Sequence, residues 1–158
     1  MSYSVTDFFG GTVPPLGFRF SVVFLHFGAV PNPIDFIFQK VSGICSTIAT
    51  HTINEGGQNL YSHRIPERIE YENLVLERGL MVLSPLALEF EAAMTLFKFN
   101  PCNVLVILHD NKGIPVSAWF FFSAYPVKWE VSEFNADETE VVIERMELAY
   151  QNMLPIRV

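Results

Sequence analysis

The chain has 158 residues, half of them hydrophobic, with 15 Phe and only 17% charged residues. That length suffices for one domain with its own core. A formal net charge of −7 argues against nucleic acid as a partner, because binding it demands a basic face. No apolar run approaches the roughly 20 residues a bilayer-spanning helix needs, and the N-terminus lacks the basic-then-apolar order of a secretory signal.

Residues 1–17 are expected to form an irregular arm, because Gly10-Gly11, Pro14-Pro15 and Gly17 interrupt any regular structure. Phe18 to Phe27 alternates as a strand, with Phe18, Phe20, Val22 and Phe24 on one face. After a Pro/Asn loop, Ile34 to Val41 is a second strand, ended by Ser42-Gly43.

Residues 44–66 differ from their surroundings. Cys45 to Ile53 is rich in Ser, Thr and Ile and favours extended structure. Asn54 to Asn59 is a strong turn signal, Leu60 to Ile65 returns, and Pro66 closes the unit. The result is a long hairpin with two weakly hydrophobic faces. A lone two-stranded hairpin is marginal in water, so this arm is expected to lie against something else. The bland alternative is a surface flap.

Tyr71 to Leu80 reads as a strand with Leu74 and Leu76 on one face and Asn73 and Val75 on the other. The clearest helix starts at Ser84, a good N-cap followed by Pro85 at the first helical position. Leu83 and Leu88 occupy the positions of a hydrophobic staple. Leu86, Phe90, Ala93, Met94 and Phe97 form its apolar stripe, and Asn100-Pro101 stops it near Lys98.

Val104 to Leu108 is apolar without alternation, the mark of a strand covered on both faces. Asp110 to Gly113 turns the chain into Val116–Ala124, with Trp119, Phe120, Phe121 and Phe122 in a block. Tyr125-Pro126 is expected to break this strand before Val127, Trp129 and Val131 alternate with polar residues. Asp137 to Met153 is ambiguous: a capping box and the stripe Val142, Met146, Ala149 and Met153 favour a helix, whereas Val141 and Ile143 favour a strand.

Catalytic and metal chemistry finds little support in these residues. His51 and His63 face one another if the hairpin turns at Gly57, but a metal site needs further ligands. His109 and His26 mark strand ends. Cys45 and Cys102 have no neighbouring base and read as reduced, packed thiols of a chain made in a cytoplasm. Glu67, Glu70, Glu72 and Glu77 with Arg64, Arg68 and Arg78 read as a charged outer face. Neither a nucleophile elbow nor a zinc-protease motif occurs. The expectation is therefore no enzyme, no catalytic residue, no metal and no cofactor.

Several segments together carry a resemblance. In order these are Phe18 to Val22, Val41-Ser42-Gly43, Glu55 to Asn59, Tyr71 to Gly79, Trp119-Phe120, Ala124 to Trp129, Asn135 to Glu138, Ile143-Glu144 and Glu147 to Tyr150. The set, spanning about 18–150, resembles the tail-tube family of contractile phage tails and phage-tail-like contractile injection systems. The resemblance implies a mainly β (α+β) chain of two packed antiparallel sheets forming a barrel-like sandwich, with one flanking helix (about 84–98) and a protruding hairpin (about 44–66). It makes 139–150 a strand, against the local helical pattern, and it makes 1–158 a single tail-tube domain.

It also implies a structural subunit that forms hexameric rings stacked into a hollow tube. The partners would be the same chain, sheath protein, baseplate proteins and cargo in the lumen. The place would be the bacterial cytoplasm during assembly and then a tail-like particle. The hairpin residues expected to mediate inter-subunit and ring-stacking contacts are Thr50, His51, Thr52, Asn54, Glu55, Gly56, Gly57, Gln58, Asn59, Tyr61 and His63. Family members often carry a Trp in the helix, where Phe90 or Leu88 stands here, so tube body and tube initiator at the baseplate both stay open. A small-ligand β-barrel is the more distant alternative.

Overall fold

In this computed structural model the described residues are 19–25, 38–54, 56–57, 60–81, 84–110, 112–134 and 141–157. The arm at 1–17 and the first half of the expected strand at 34–41 lie outside them; of the other half, Phe38 and Gln39 are not in a strand, which begins at Lys40 and includes Ser42. Nine strands and one helix are described: β1 (Phe20–Leu25), β2 (Lys40–Ser42), β3 (Ser46–Ile53), β4 (His63–Tyr71), β5 (Leu74–Gly79), α1 (Pro85–Leu96), β6 (Cys102–His109), β7 (Pro115–Val131), β8 (Ile143–Ala149) and β9 (Asn152–Arg157).

The 17-residue β7 organises the molecule by belonging to two sheets. Its first half pairs with β6 and β9, and β6 pairs with β1. Its second half pairs with β8, followed by β5 and β2. All pairings are antiparallel. Tyr125-Pro126 therefore does not break the strand. Ser123 adopts a left-handed φ of 51°, and its N–H donates to Asn103 Oδ1 at 3.1 Å, so an extra residue is accommodated on β7 where it leaves β6. A second bulge between Pro126 and Lys128 lies beside the proline, whose missing N–H costs least where the ladder is already interrupted.

The core lies between these two sheets. Alternation places Val22 and Phe24, Val104 and Val106, Phe121, Leu74 and Leu76, and Met146 and Leu148 inward. The run 104–108 is covered on one face and half-covered on the other: Leu105 lies in a cross-strand row with Val23, Phe120 and the exposed Leu154, and Ile107 in a row with Ser21, Ala118 and the exposed Ile156. Residues 143–149 form a strand, as the family resemblance implies. Glu144, Met146 and Leu148 are buried in a period of two, and ladders with β5 and β7 on either side outweigh the local helical preference.

Helix α1 begins as its sequence dictates. Ser84 is extended, and its Oγ accepts a bond from the Ala87 N–H at 3.4 Å. The helix ends at Phe97 in the left-handed region, with Lys98 N–H donating to Ala92 O. Leu86, Phe90 and Ala93 are buried, but Met94 and Phe97 are exposed, so the apolar stripe packs along only half its expected width. Leu88 is also exposed, and its expected staple partner Leu83 lies outside the described residues.

Gly43 is required by close approach. It has a φ of +79°, and a Cβ there would lie 1.9 Å from the Asn73 carbonyl oxygen.

Candidate interaction surface

The hairpin β3–β4 forms its own two-stranded sheet, apart from the other strands. It is longer than expected, because Pro66 lies inside β4. The register shifts between Ile48 and Thr50, which places one extra β4 residue beside Pro66 and accommodates its missing donor.

Almost every hairpin residue is exposed. One face carries the directly opposed Ile48 and Ile69, exposed by 57% and 53%. The other carries Ile53 opposite His63 and Ile65 opposite His51. Exposed isoleucines on both faces of a two-stranded ribbon mark surface that a partner would bury.

The expected contact residues fall along this ribbon. Thr50, Thr52 and Arg64 share a face, and Arg64 Nη2 donates to Thr50 Oγ1 at 2.9 Å. His51 and His63 share the opposite face, but as diagonal neighbours rather than a directly opposed pair. His51 Nδ1 lies 3.8 Å from Glu67 Oε1. The Tyr61 and His63 rings meet edge to face at 5.4 Å. Asn54, Gly56 and Gly57 are at the tip with open space around both glycines, whereas Glu55, Gln58 and Asn59 lie outside the described residues.

A second apolar surface lies beside α1. A groove of about 500 Å³ has a floor of Phe24, Phe90, Cys102, Ala124 and Leu148. Leu88, Glu89, Lys98 and Phe99 line its opening. Phe99 stacks edge-on with Phe97 and with Tyr125, at 4.9 and 5.9 Å. Burial, with Glu89 as a smaller influence, pushes the Cys102 thiol up to about 12, so it is a packed protonated thiol at neutral pH.

The charged residues separate into two environments. On the outer face of β2, β5, β8 and β7, Lys40, Glu77, Arg145 and Glu130 form a cross-strand row of alternating sign. Lys128 bonds Glu130 at 2.8 Å, which raises the Lys128 pKa and lowers that of Glu130.

Arg78 departs from the expected outer face. It is buried, as is Glu144. Arg78 Nε donates to Glu144 Oε2 at 2.9 Å, and Arg78 Nη2 donates to Ser84 Oγ at 2.8 Å. Trp129 Nε1 donates to the other Glu144 oxygen at 2.8 Å. This network joins β5, β7, β8 and the cap of α1. No local pattern announces it, because Arg78 and Glu144 are 66 residues apart.

Among the described residues, no group of three or more His, Cys, Asp or Glu is placed to hold a metal ion. Ser21 Oγ and His109 Nε2 lie 2.6 Å apart, but His109 Nδ1 is buried without a hydrogen-bond partner. Among the described residues no third group orients this pair as a general base would need.

The family model of the T4-like virus tail tube protein gp19 matches residues 16–154. A chain in the six-fold symmetrised cryo-EM structure of the anti-feeding prophage baseplate is 34% identical, with a TM-score of 0.85 over 92% of this chain and 97% of that one. A chain of the PVC sheath–tube complex, an extracellular contractile injection system in its extended state, is 18% identical, with a TM-score of 0.77 over 99% of this chain and 100% of that one. Hcp1 from Flavobacterium johnsoniae shares the fold at 13% identity and a TM-score of 0.54, over 86% of this chain and 93% of that one. No curated protein sequence gives a significant match.

Proposed function

This chain belongs to the T4-like virus tail tube protein gp19 family, and we propose that it builds the inner tube of a contractile, phage-tail-like injection particle as six-membered rings stacked into a hollow conduit. The observation that carries this reading is the β3–β4 hairpin, whose exposed isoleucines lie on both faces. A monomer gains nothing from that arrangement, whereas stacked copies would bury both faces. A head-to-tail interface closes into a ring when its rotation permits. The six-fold symmetry of the baseplate structure that contains the 34% identical chain supports six as the number.

On this reading the whole chain acts as one tail-tube domain, and hairpin residues such as Thr50, His51, Thr52, Tyr61 and His63 contribute contacts between subunits and rings. The partners are further copies, sheath, baseplate and luminal cargo. Assembly takes place in the bacterial cytoplasm, and the role is structural, without turnover.

A second reading has one observation in its favour. The 34% identical chain comes from a baseplate, whereas the sheath–tube chain is 18% identical. This supports a place in the first ring on the baseplate, where the chain would initiate the tube. Polymerisation separates the two. A body subunit extends tubes to many rings at high concentration, and an initiator stops at one or two rings on a baseplate.

A further inference from the structure

We infer that the hairpin tip of one subunit, through Leu60 and Tyr61, seats in the apolar groove beside α1 of a neighbouring copy. The inference rests on the tube reading above and names the surface that receives the arm.

The two surfaces are complementary in form. One is a protrusion: Leu60 is 93% exposed at the end of a two-stranded ribbon, and Tyr61 beside it is also exposed. The other is a depression of about 500 Å³ whose floor is apolar and whose opening is flanked by the exposed Leu88 and Phe99. The groove has room for the tip's two large side chains. Among the described residues neither surface satisfies the other within one chain, because the hairpin makes a separate sheet and does not line the groove.

The relative points to a second copy as the occupant: the 34% identical chain belongs to a six-fold symmetrised assembly, in which a subunit's neighbours include copies of itself. A protrusion entering a different patch on the next copy is a heterologous contact, the kind that propagates around a ring or along a stack. Burying Leu60 and Tyr61 against Phe90 and Phe99 follows the usual pattern of an interface anchored by a few large apolar side chains.

The test is a double variant, Leu60→Cys with Leu88→Cys, compared with each single variant. Both residues are exposed, so the body of the fold is expected to tolerate the changes. Assemblies grown alone or on baseplates are oxidised and separated without reductant. The expected result is a disulfide-linked ladder extending beyond the dimer, found only in the double variant. Maleimide labelling of the Leu88→Cys variant is expected to slow at least tenfold on assembly. Intact tubes with no ladder and undiminished labelling would overturn the proposal while leaving the tube reading in place. Protection of Leu88→Cys without a ladder would mean that another surface fills the groove, and would overturn the hairpin as occupant. Folded monomers under every condition, with or without baseplates, would overturn both. If the double variant fails to fold, Tyr61→Cys with Leu88→Cys is read by the same criteria.

Discussion

Arg78 and Glu144 meet through a 2.9 Å hydrogen bond at 1% and 0% side-chain exposure. Glu144 also accepts from Trp129, and Arg78 also donates to the Ser84 that caps α1. One buried ion pair thus fixes β5 against β8 and sets where the helix starts. Removing one member leaves the other charge buried, which typically costs about 3–5 kcal/mol. Glu144→Ala is therefore expected to lower stability by about that amount. Replacing both members, as Arg78→Met with Glu144→Leu, is expected to recover much of the loss. Chemical denaturation of the four proteins checks this, and equal losses for the single and double variants would contradict it.

Gly43→Ala is expected to be among the most damaging single substitutions outside the core. The added Cβ would collide with the Asn73 carbonyl, and the φ of +79° is strained for any L side chain. A loss of about 2 kcal/mol or more is expected. Gly56→Ala, which meets open space, is expected to change the same thermal midpoint little.

The two cysteines are expected to differ in reactivity. Cys102 is buried with its pKa raised to about 12, so at pH 8 almost none of it is thiolate. Cys45 is only half-buried. In the unassembled native protein a thiol reagent at pH 8 should modify Cys45 and leave Cys102 intact, with both reacting after denaturation. Mass mapping of the modified residues decides it.

Ile48→Glu with Ile65→Glu places one charge on each face of the hairpin. Both positions are exposed, so folding stability should change by about 0.5 kcal/mol or less. Assembly should be lost, because each charge would have to be buried in an apolar contact. Replacing Gly56 and Gly57 with Val should act the same way, most of all at Gly57, whose φ is +94°. Normal tubes from either variant would place the stacking surface elsewhere.

What the sequence revealed follows from which signals are local. Ser84-Pro85 started the helix where expected, and alternation put Leu74 and Leu76 together on one face, which the structure buries. The hairpin was legible from its lack of an apolar side, although its length was not, because a bulge absorbs Pro66. The same device hid the continuity of β7, where Ser123 and Val127 let one strand serve two sheets across Tyr125-Pro126. Residues 143–149 carry a helical stripe that two flanking ladders overrule, so only the family resemblance placed them as a strand. The Arg78–Glu144 pair was illegible because burial of a charge depends on a partner far along the chain. The exposed Met94 and Phe97 show the reverse case, apolar residues at helical spacing that the protomer itself does not bury.

A tube subunit needs copies of itself to complete its surfaces, and electron microscopy of the purified protein at high concentration, with and without baseplates, shows whether they assemble. Six-fold rings are expected, stacked into tubes in free solution if the chain forms the tube body or seated on baseplates if it initiates the tube. Folded, solitary monomers in both conditions would rule out that role.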